Sequence, residues 1–253
     1  MGPLVLLTDF GAQDGYVGIM KGVMAGIAPG VLVIDLSHQI PPQDLMAAKF
    51  VLWNSYRFFP QGSLFVVVVD PGVGSGRHIL ALEAGGYRFI APDNGVLDYV
   101  LSENRVKHFL RIEEKKLMRS EISQTFHGRD IFAPVAAKIS AGYPFTTVGP
   151  AHPYQLPDSP WLSPEGFPIE GEIVYIDHFG NLITNLKAGG LSTGIAVRIN
   201  GITLPLVTSY ASVEEGQLLA LEGSHGLLEI AQRNGSAAKT LGAGYGEKVV
   251  LKG

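Results

Sequence analysis

Six prolines fall within the 19 residues from Pro150 to Pro168, and a stretch so rich in fixed φ angles suits neither a helix interior nor a central strand. It separates two rhythms. Before it, short aliphatic runs alternate with segments of helical period, the pattern of strands buried on both faces by crossover helices. After it, short alternating strands are broken by glycine turns, which fits a small β-barrel or sandwich. The 253 residues therefore read as an α/β domain over 1–150, a linker over 151–168 and a β domain over 169–253.

In the first part, Leu4 to Leu7, Val31 to Ile34, Leu64 to Val69 and Tyr87 to Ala91 are expected strands, short and rich in branched residues. Val17, Met20, Met24 and Ile27 keep helical spacing after Asp14 as a cap and stop at Pro29-Gly30. Further helices are expected after Pro41-Pro42, after Asp93-Asn94-Gly95, and over about Asp130 to Ser140 with Pro134 in the first turn. In the second part, strands are expected at Glu172 to Ile176, Ile195 to Ile199, Ile202 to Val207, Leu218 to Leu221, Leu227 to Ile230 and Lys248 to Leu251.

Composition narrows the function. Nineteen basic against 23 acidic residues leave a net charge of −4, and no basic cluster offers a nucleic-acid backbone an electrostatic footprint. No apolar run approaches the roughly 20 residues of a membrane-spanning helix. Met1 leads into Leu4-Val5-Leu6-Leu7 without a charged leader, so a cytoplasmic location is expected. The absence of cysteine removes thiolate chemistry, iron–sulfur clusters and sulfur-ligated zinc. Charged residues make up only 17% and mean hydropathy is +0.22, which points to a buried subunit interface.

Several short motifs carry candidate chemistry. Thr8-Asp9-Phe10-Gly11 follows the first strand, where ligands of open α/β sheets bind, and the Asp9 carboxylate suits a ribose diol or simply a turn. The glycine-rich Asp70-Pro71-Gly72-Val73-Gly74-Ser75-Gly76-Arg77 lacks the ending of a phosphate loop. Phe126-His127-Gly128-Arg129-Asp130 opens a helix with an imidazole that titrates near neutrality. Asp177-His178-Phe179-Gly180-Asn181 combines an acid, an aromatic and an amide, and is equally a turn sequence. Asp9, Asp35, His38, Asp70, His127 and Asp130 form a set from which a metal-dependent hydrolase could draw ligands, although their spacing matches no metal motif.

Taken together and in order, these segments resemble the S-adenosylmethionine hydroxide adenosyltransferase family, relatives of fluorinating and chlorinating enzymes. The match also includes Ile34-Asp35-Leu36-Ser37-His38, Phe58-Phe59-Pro60, Ala91-Pro92-Asp93-Asn94-Gly95 and Asn234-Gly235-Ser236-Ala237-Ala238. The resemblance implies a Rossmann-like α/β domain followed by a small carboxy-terminal β-barrel, in a homotrimer with sites between subunits. It implies hydrolysis of S-adenosylmethionine to adenosine and methionine, with no cofactor and no metal. Asp70, Arg77 and His127 match the residues around the attacking water, with His127 as proton acceptor or relay, Asp70 orienting the water and Arg77 organising the charge. Asp9 and Asp14 match the ribose site, Asp177 the methionine ammonium and Ser224 its carboxylate, and Phe179, Asn181 and Tyr210 the adenine frame. His225 stands where family members often carry Arg or a large aromatic. A halogenase and a non-catalytic adenosyl-ligand sensor are the neighbouring alternatives.

Overall fold

The computed structural model describes residues 2–192 and 194–252. The chain separates into two compact units, Met1–Asp158 and Ser159–Gly253. Among the described residues no helix is long and apolar enough to cross a membrane.

The first unit is built on a six-stranded sheet. Its elements are β1 (Leu4–Thr8), α1 (Tyr16–Ile27), β2 (Val33–Ser37), α2 (Leu45–Ser55), β3 (Leu64–Val68), β4 (Ile79–Ala84), β5 (Tyr87–Pro92), α3 (Asp98–Glu103), β6 (Val106–Arg111) and α4 (Ala133–Ser140). The sheet order is β2-β1-β3-β5-β4-β6. Strands β2, β1, β3 and β5 run parallel, while β4 is antiparallel to both neighbours. The chain leaves β1 to one side through α1 to β2, then crosses to the other side through α2 to β3. Strand order thus reverses at β1, and such a reversal opens a crevice beyond the carboxyl ends of the two strands.

Every residue of β1 and β3 is buried, as parallel strands covered on both faces require. On one face Leu4, Leu6, Leu64, Val66 and Val68 pack with Met20 and Met24 of α1 and with Val135, Ala136 and Ile139 of α4. Elsewhere in the unit, Phe65 and Phe89 stack at 5.2 Å and Tyr56 meets Phe89 edge-on at 5.8 Å. Helix α2 is started by Asp44, whose side chain accepts from the Ala47 amide at 2.9 Å.

One strand, one helix cap and two whole strands differ from the sequence expectation. Strand β2 lies two residues later than expected and continues through Asp35 to Ser37, because it is a half-exposed edge strand whose polar residues face solvent. Asp14 does not cap α1; Gly15 occupies that position without a side-chain cap. Strands β4 and β6 were not expected, since Leu-Ala-Leu-Glu-Ala carries helical propensity and β6 alternates polar residues at the far edge. Helix α4 is preceded by a π-helical turn, Gly128–Phe132, and has Pro134 in its first turn.

The second unit is sheet-rich. Its elements are β7 (Ile169–Ile176), β8 (Leu182–Lys187), β9 (Ala196–Ile199), β10 (Ile202–Pro205), β11 (Leu218–Glu222), β12 (Leu227–Gln232), α5 (Ala237–Leu241) and β13 (Lys248–Lys252). Seven antiparallel strands follow the order β10-β9-β13-β7-β8-β12-β11. Leu206, just past β10, bridges to Ala220 of β11, so the sheet nearly closes into a barrel around Ile173, Leu186, Val197, Leu228, Ile230 and Val249. Strand β8 escaped the sequence reading because it buries Thr184 and Asn185. Both are satisfied: the Thr184 hydroxyl donates to the Leu228 carbonyl at 2.9 Å, and Asn185 Oδ1 accepts from the Glu172 amide at 2.9 Å.

Candidate active site

Thr8 and Val68 are paired in register at the carboxyl ends of β1 and β3. The two chains therefore leave the sheet side by side, with Asp9 one residue beyond and Asp70 two residues beyond. A cavity of about 600 Å³ opens there, lined by Asp9, Phe10, Tyr16, Gln43, Asp70, Phe126, His127 and Arg129 among others. That size is ordinary for a small-molecule site.

Asp9 is held from the side. Its Oδ2 accepts from the Gln43 amide at 2.8 Å, and Gln43 sits at φ 65°, a backbone region non-glycine residues seldom adopt. The preceding Thr8 hydroxyl accepts from the Phe10 amide at 3.2 Å and is hydrogen-bonded to His38 Nδ1 at 2.9 Å. His38 Nε2 lies 3.0 Å from Asp35, which also pairs with Lys21 at 2.6 Å. The His38 carbonyl accepts from the Gly11 amide at 2.7 Å. His38 thus clamps the Asp9 loop with both side chain and backbone.

Asp70 and Arg77 form a buried pair, their side chains 4% and 9% exposed. Arg77 Nε donates to both carboxylate oxygens at 2.8 Å, and Nη2 also contacts Oδ2. The same Nη2 lies 2.9 Å from His127 Nδ1. Arginine has only donors, so Nδ1 must accept, and a neutral His127 then carries its proton on Nε2. Burial first, and the adjacent Arg77 cation second, hold the His127 imidazole below its usual range, against the opposing pull of Asp70 and Asp130. The loop between Asp70 and Arg77 turns tightly at Gly74, whose φ is 78° and where a Cβ would sit 2.4 Å from the Gln124 carbonyl oxygen.

Two groups around this cavity have a place that the sequence alone did not indicate: three aromatic rings, and Asp130, which entered there only as a candidate metal ligand. The rings of Phe10, Tyr16 and Phe126 meet at centroid distances of 5.1 to 6.1 Å and wall the cavity. The second is Asp130, fully buried, which accepts from Arg129 Nε at 2.7 Å and from the Ser123 amide at 2.8 Å. The Arg129 hydrogen bond and that amide hold its carboxyl below the usual carboxylate range, although burial opposes them. Asp130 ties the Ser123 segment to the turn that follows His127. The sequence signal for it was present, an acid beside one arginine in a segment expected to be helical.

Asp14 is exposed ahead of α1 and is not among the residues lining the cavity. Among the described residues no three His, Asp or Glu side chains are grouped to hold a metal ion.

The remaining candidates lie in the second unit. Asp177 organises its own turn: Oδ1 accepts from the Phe179 and Asn181 amides at 2.9 and 2.8 Å, and Oδ2 from Asn181 Nδ2 at 2.9 Å. Gly180, at φ 83°, packs where a Cβ would be 2.0 Å from Ser236 Oγ. Phe179 stands out from this turn, 73% exposed. Tyr210 donates its hydroxyl to Glu229; burial first, then that bond, pushes its hydroxyl far above the usual phenol range. The His225 side chain is 7% exposed, its Nδ1 accepting from the Leu227 amide at 3.2 Å and its Nε2 3.6 Å from Glu229. Ser224 is exposed. Glu229, a buried acid on β12, was not found from the sequence because it reads as the polar residue of an alternating strand.

An open α/β sheet that presents a carboxylate, a guanidinium and an imidazole in one hydrogen-bonded chain at its crevice, followed by a barrel-like unit, defines a two-part protein with a candidate site at the carboxyl ends of its central strands. Residues 4–149 match the family model described as the SAM hydroxide adenosyltransferase N-terminal domain, and residues 171–250 match its C-terminal domain. The chain belongs to the SAM hydroxide adenosyltransferase family. It is 38% identical over 260 residues to the (R)-S-adenosyl-L-methionine hydrolase of Thermus thermophilus, covering 99% of this chain and 100% of that one. It is 29% identical over 270 residues to the fluorinase of an Actinoplanes species, covering 90% of each. Among solved structures, an uncharacterized conserved protein from Thermotoga maritima superposes with a TM-score of 0.90 at 33% identity, over 99% of this chain and 100% of that one.

Proposed function

We propose that this chain is an enzyme that hydrolyses S-adenosyl-L-methionine to adenosine and L-methionine, by in-line attack of water at C5′. The observation that carries the reading is the Asp70–Arg77–His127 chain at the mouth of the β1–β3 crevice, in a protein alike over its whole length to named hydrolases of this substrate.

The chemistry asks little of a leaving-group acid. A water oxygen bonds to C5′, the C5′–S bond breaks, and its electron pair neutralises the sulfonium to the thioether of methionine. The site has to orient the water opposite sulfur and take its proton, and near-attack positioning alone supplies about 7 kcal/mol or more. Arg77 donates to His127 Nδ1, so the imidazole offers the cavity an Nε2–H and stands as a donor to the nucleophile oxygen. The proton-accepting role then falls to the Asp70 carboxylate rather than to His127, with Arg77 fixing both groups. This reassigns the role expected for His127 from sequence.

A carboxylate at the nucleophile position also supports water over a halide, since two anions repel there. The adjacent Asp9 is assigned to the ribose hydroxyls, with Asp14 near it. Asp177 and Ser224 are assigned to the amino-acid end with His225 beside them, and Phe179, Asn181 and Tyr210 to the adenine. Asp9→Ala is expected to raise the dissociation constant by about 10- to 100-fold, the worth of hydrogen bonds to a charged group; unchanged calorimetric affinity removes Asp9 from the ribose site.

The same reading takes the first unit as Rossmann-like, with the domain over 1–150, a linker over 151–168 and the barrel over 169–253. It takes the protein as a cytoplasmic homotrimer with sites between subunits and without a cofactor. The test is to incubate purified, chelator-treated protein with S-adenosylmethionine in chloride- and fluoride-containing buffers. Equimolar adenosine and methionine are expected; 5′-halo-adenosine as the main product supports a halogenase, and intact substrate with measured binding a sensor.

A further inference from the structure

The segment Ala91-Pro92-Asp93-Asn94-Gly95 has no part in the reaction described above, yet it meets the Asp70–Arg77 loop at both of its ends. Asn94 follows β5, the parallel neighbour of β3. Its Nδ2 donates to the Val69 carbonyl at 2.9 Å, and Val69 is the buried residue immediately before Asp70. Its Oδ1 accepts from the Val96 amide at 3.2 Å, so both ends of the side-chain amide are used. One residue earlier, the Asp93 amide donates to the His78 carbonyl at 3.0 Å, and His78 is the residue immediately after Arg77. The Asp93 carboxylate is itself held 3.3 Å from His152 Nε2.

We propose that Asn94 is a positioning residue for the reaction, which sets the Asp70–Arg77 pair by bracing the backbone where their loop leaves the sheet, while the neighbouring Asp93 amide holds the point where the loop rejoins it. The proposal rests on the catalytic reading of Asp70 and Arg77. The loop between these ends contains three glycines and has little stiffness of its own, so the positions of its two exits govern where the carboxylate stands. A displacement of about 1 Å at a group that orients the nucleophile is worth up to 10² in rate.

The test uses Asn94→Asp, which keeps the side chain's size and the acceptor for the Val96 amide but removes the donor to the Val69 carbonyl. Turnover and KM for S-adenosylmethionine are measured across pH 5.5 to 9, with calorimetric affinity and melting temperature. At pH 8 the variant is expected to lose about 10- to 100-fold in kcat with KM and affinity within about threefold. An aspartate carboxyl, ordinarily at about 3.9, stays ionised across that interval and regains no donor, so the kcat loss should hold at every pH. Asn94→Ala should show the same split, a loss in kcat with KM and affinity kept. Wild-type kcat in Asn94→Asp overturns the proposal. So do turnover, affinity and melting temperature falling together in both variants, or a failure of both to fold, which assign Asn94 to the fold alone. Asp70→Asn is run beside them: full turnover in that variant, or no turnover in the native protein, overturns the catalytic reading and the positioning role with it.

Discussion

Asp70→Asn should lower turnover of S-adenosylmethionine by about 10² or more while KM stays within a few-fold, the signature of an interaction made with the nucleophile rather than with the bound substrate. The amide keeps the shape of the carboxylate but loses its charge and one of the acceptor oxygens that Arg77 engages at 2.8 Å. It can neither hold the water by two acceptors nor take its proton. Because the pair is buried, removing one partner leaves an uncompensated guanidinium, a loss that reaches about 3–5 kcal/mol in well-buried pairs. The melting temperature should therefore fall as well, and single-turnover rates on folded, substrate-saturated protein separate the two effects. A variant with native turnover removes Asp70 from the chemistry.

The second large effect is on the acid side of the pH profile and belongs to His127. Its imidazole accepts from Arg77 through Nδ1, and only the neutral ring can do so. Protonation breaks that bond and sets a cation against the guanidinium. Burial and Arg77 lower its folded-state value, so the neutral form is favoured by folding. The stabilisation is complete above the unfolded imidazole value, near 6.5, and is lost as pH falls through the lower folded value. Turnover should accordingly be flat above about pH 6.5 and fall at more acid pH. His127→Ala should lose about 10² in kcat and lose that acid limb. An acid limb that survives the substitution unchanged assigns the titration to another group.

The first unit was readable because β1 and β3 are continuous apolar runs, α1 keeps helical spacing through Val17, Met20, Met24 and Ile27, and the later helices are marked by the turn residues before them. The edge strands were harder. β2 and β6 face solvent on one side and carry Asp35, Lys107 and Arg111 within their spans, which breaks the apolar signal. β8 hid for the opposite reason, burying Thr184 and Asn185 against partners far along the chain.

The site shows the same division. Asp9, Asp70, Arg77 and His127 could be singled out because each stands in a local motif, and the structure brings these four to one crevice. The tautomer of His127 could not be read, since it depends on a hydrogen bond from a residue 50 positions away. Nor could the support given by Asp130, which turns back on the Ser123 amide seven residues before it, or by Asn94, whose partner Val69 becomes a neighbour when β5 pairs with β3. Residue type marks the groups that do chemistry; three-dimensional hydrogen bonding determines which atom of each is free to do it.

The most direct measurement is the fate of solvent oxygen. Metal-free protein is incubated with S-adenosylmethionine in ¹⁸O-water, and the products are separated and weighed by mass spectrometry. Attack of water at C5′ predicts adenosine carrying one ¹⁸O at its 5′ oxygen beside unlabelled methionine. Adenosine without the label, or intact substrate beside measured binding, contradicts it.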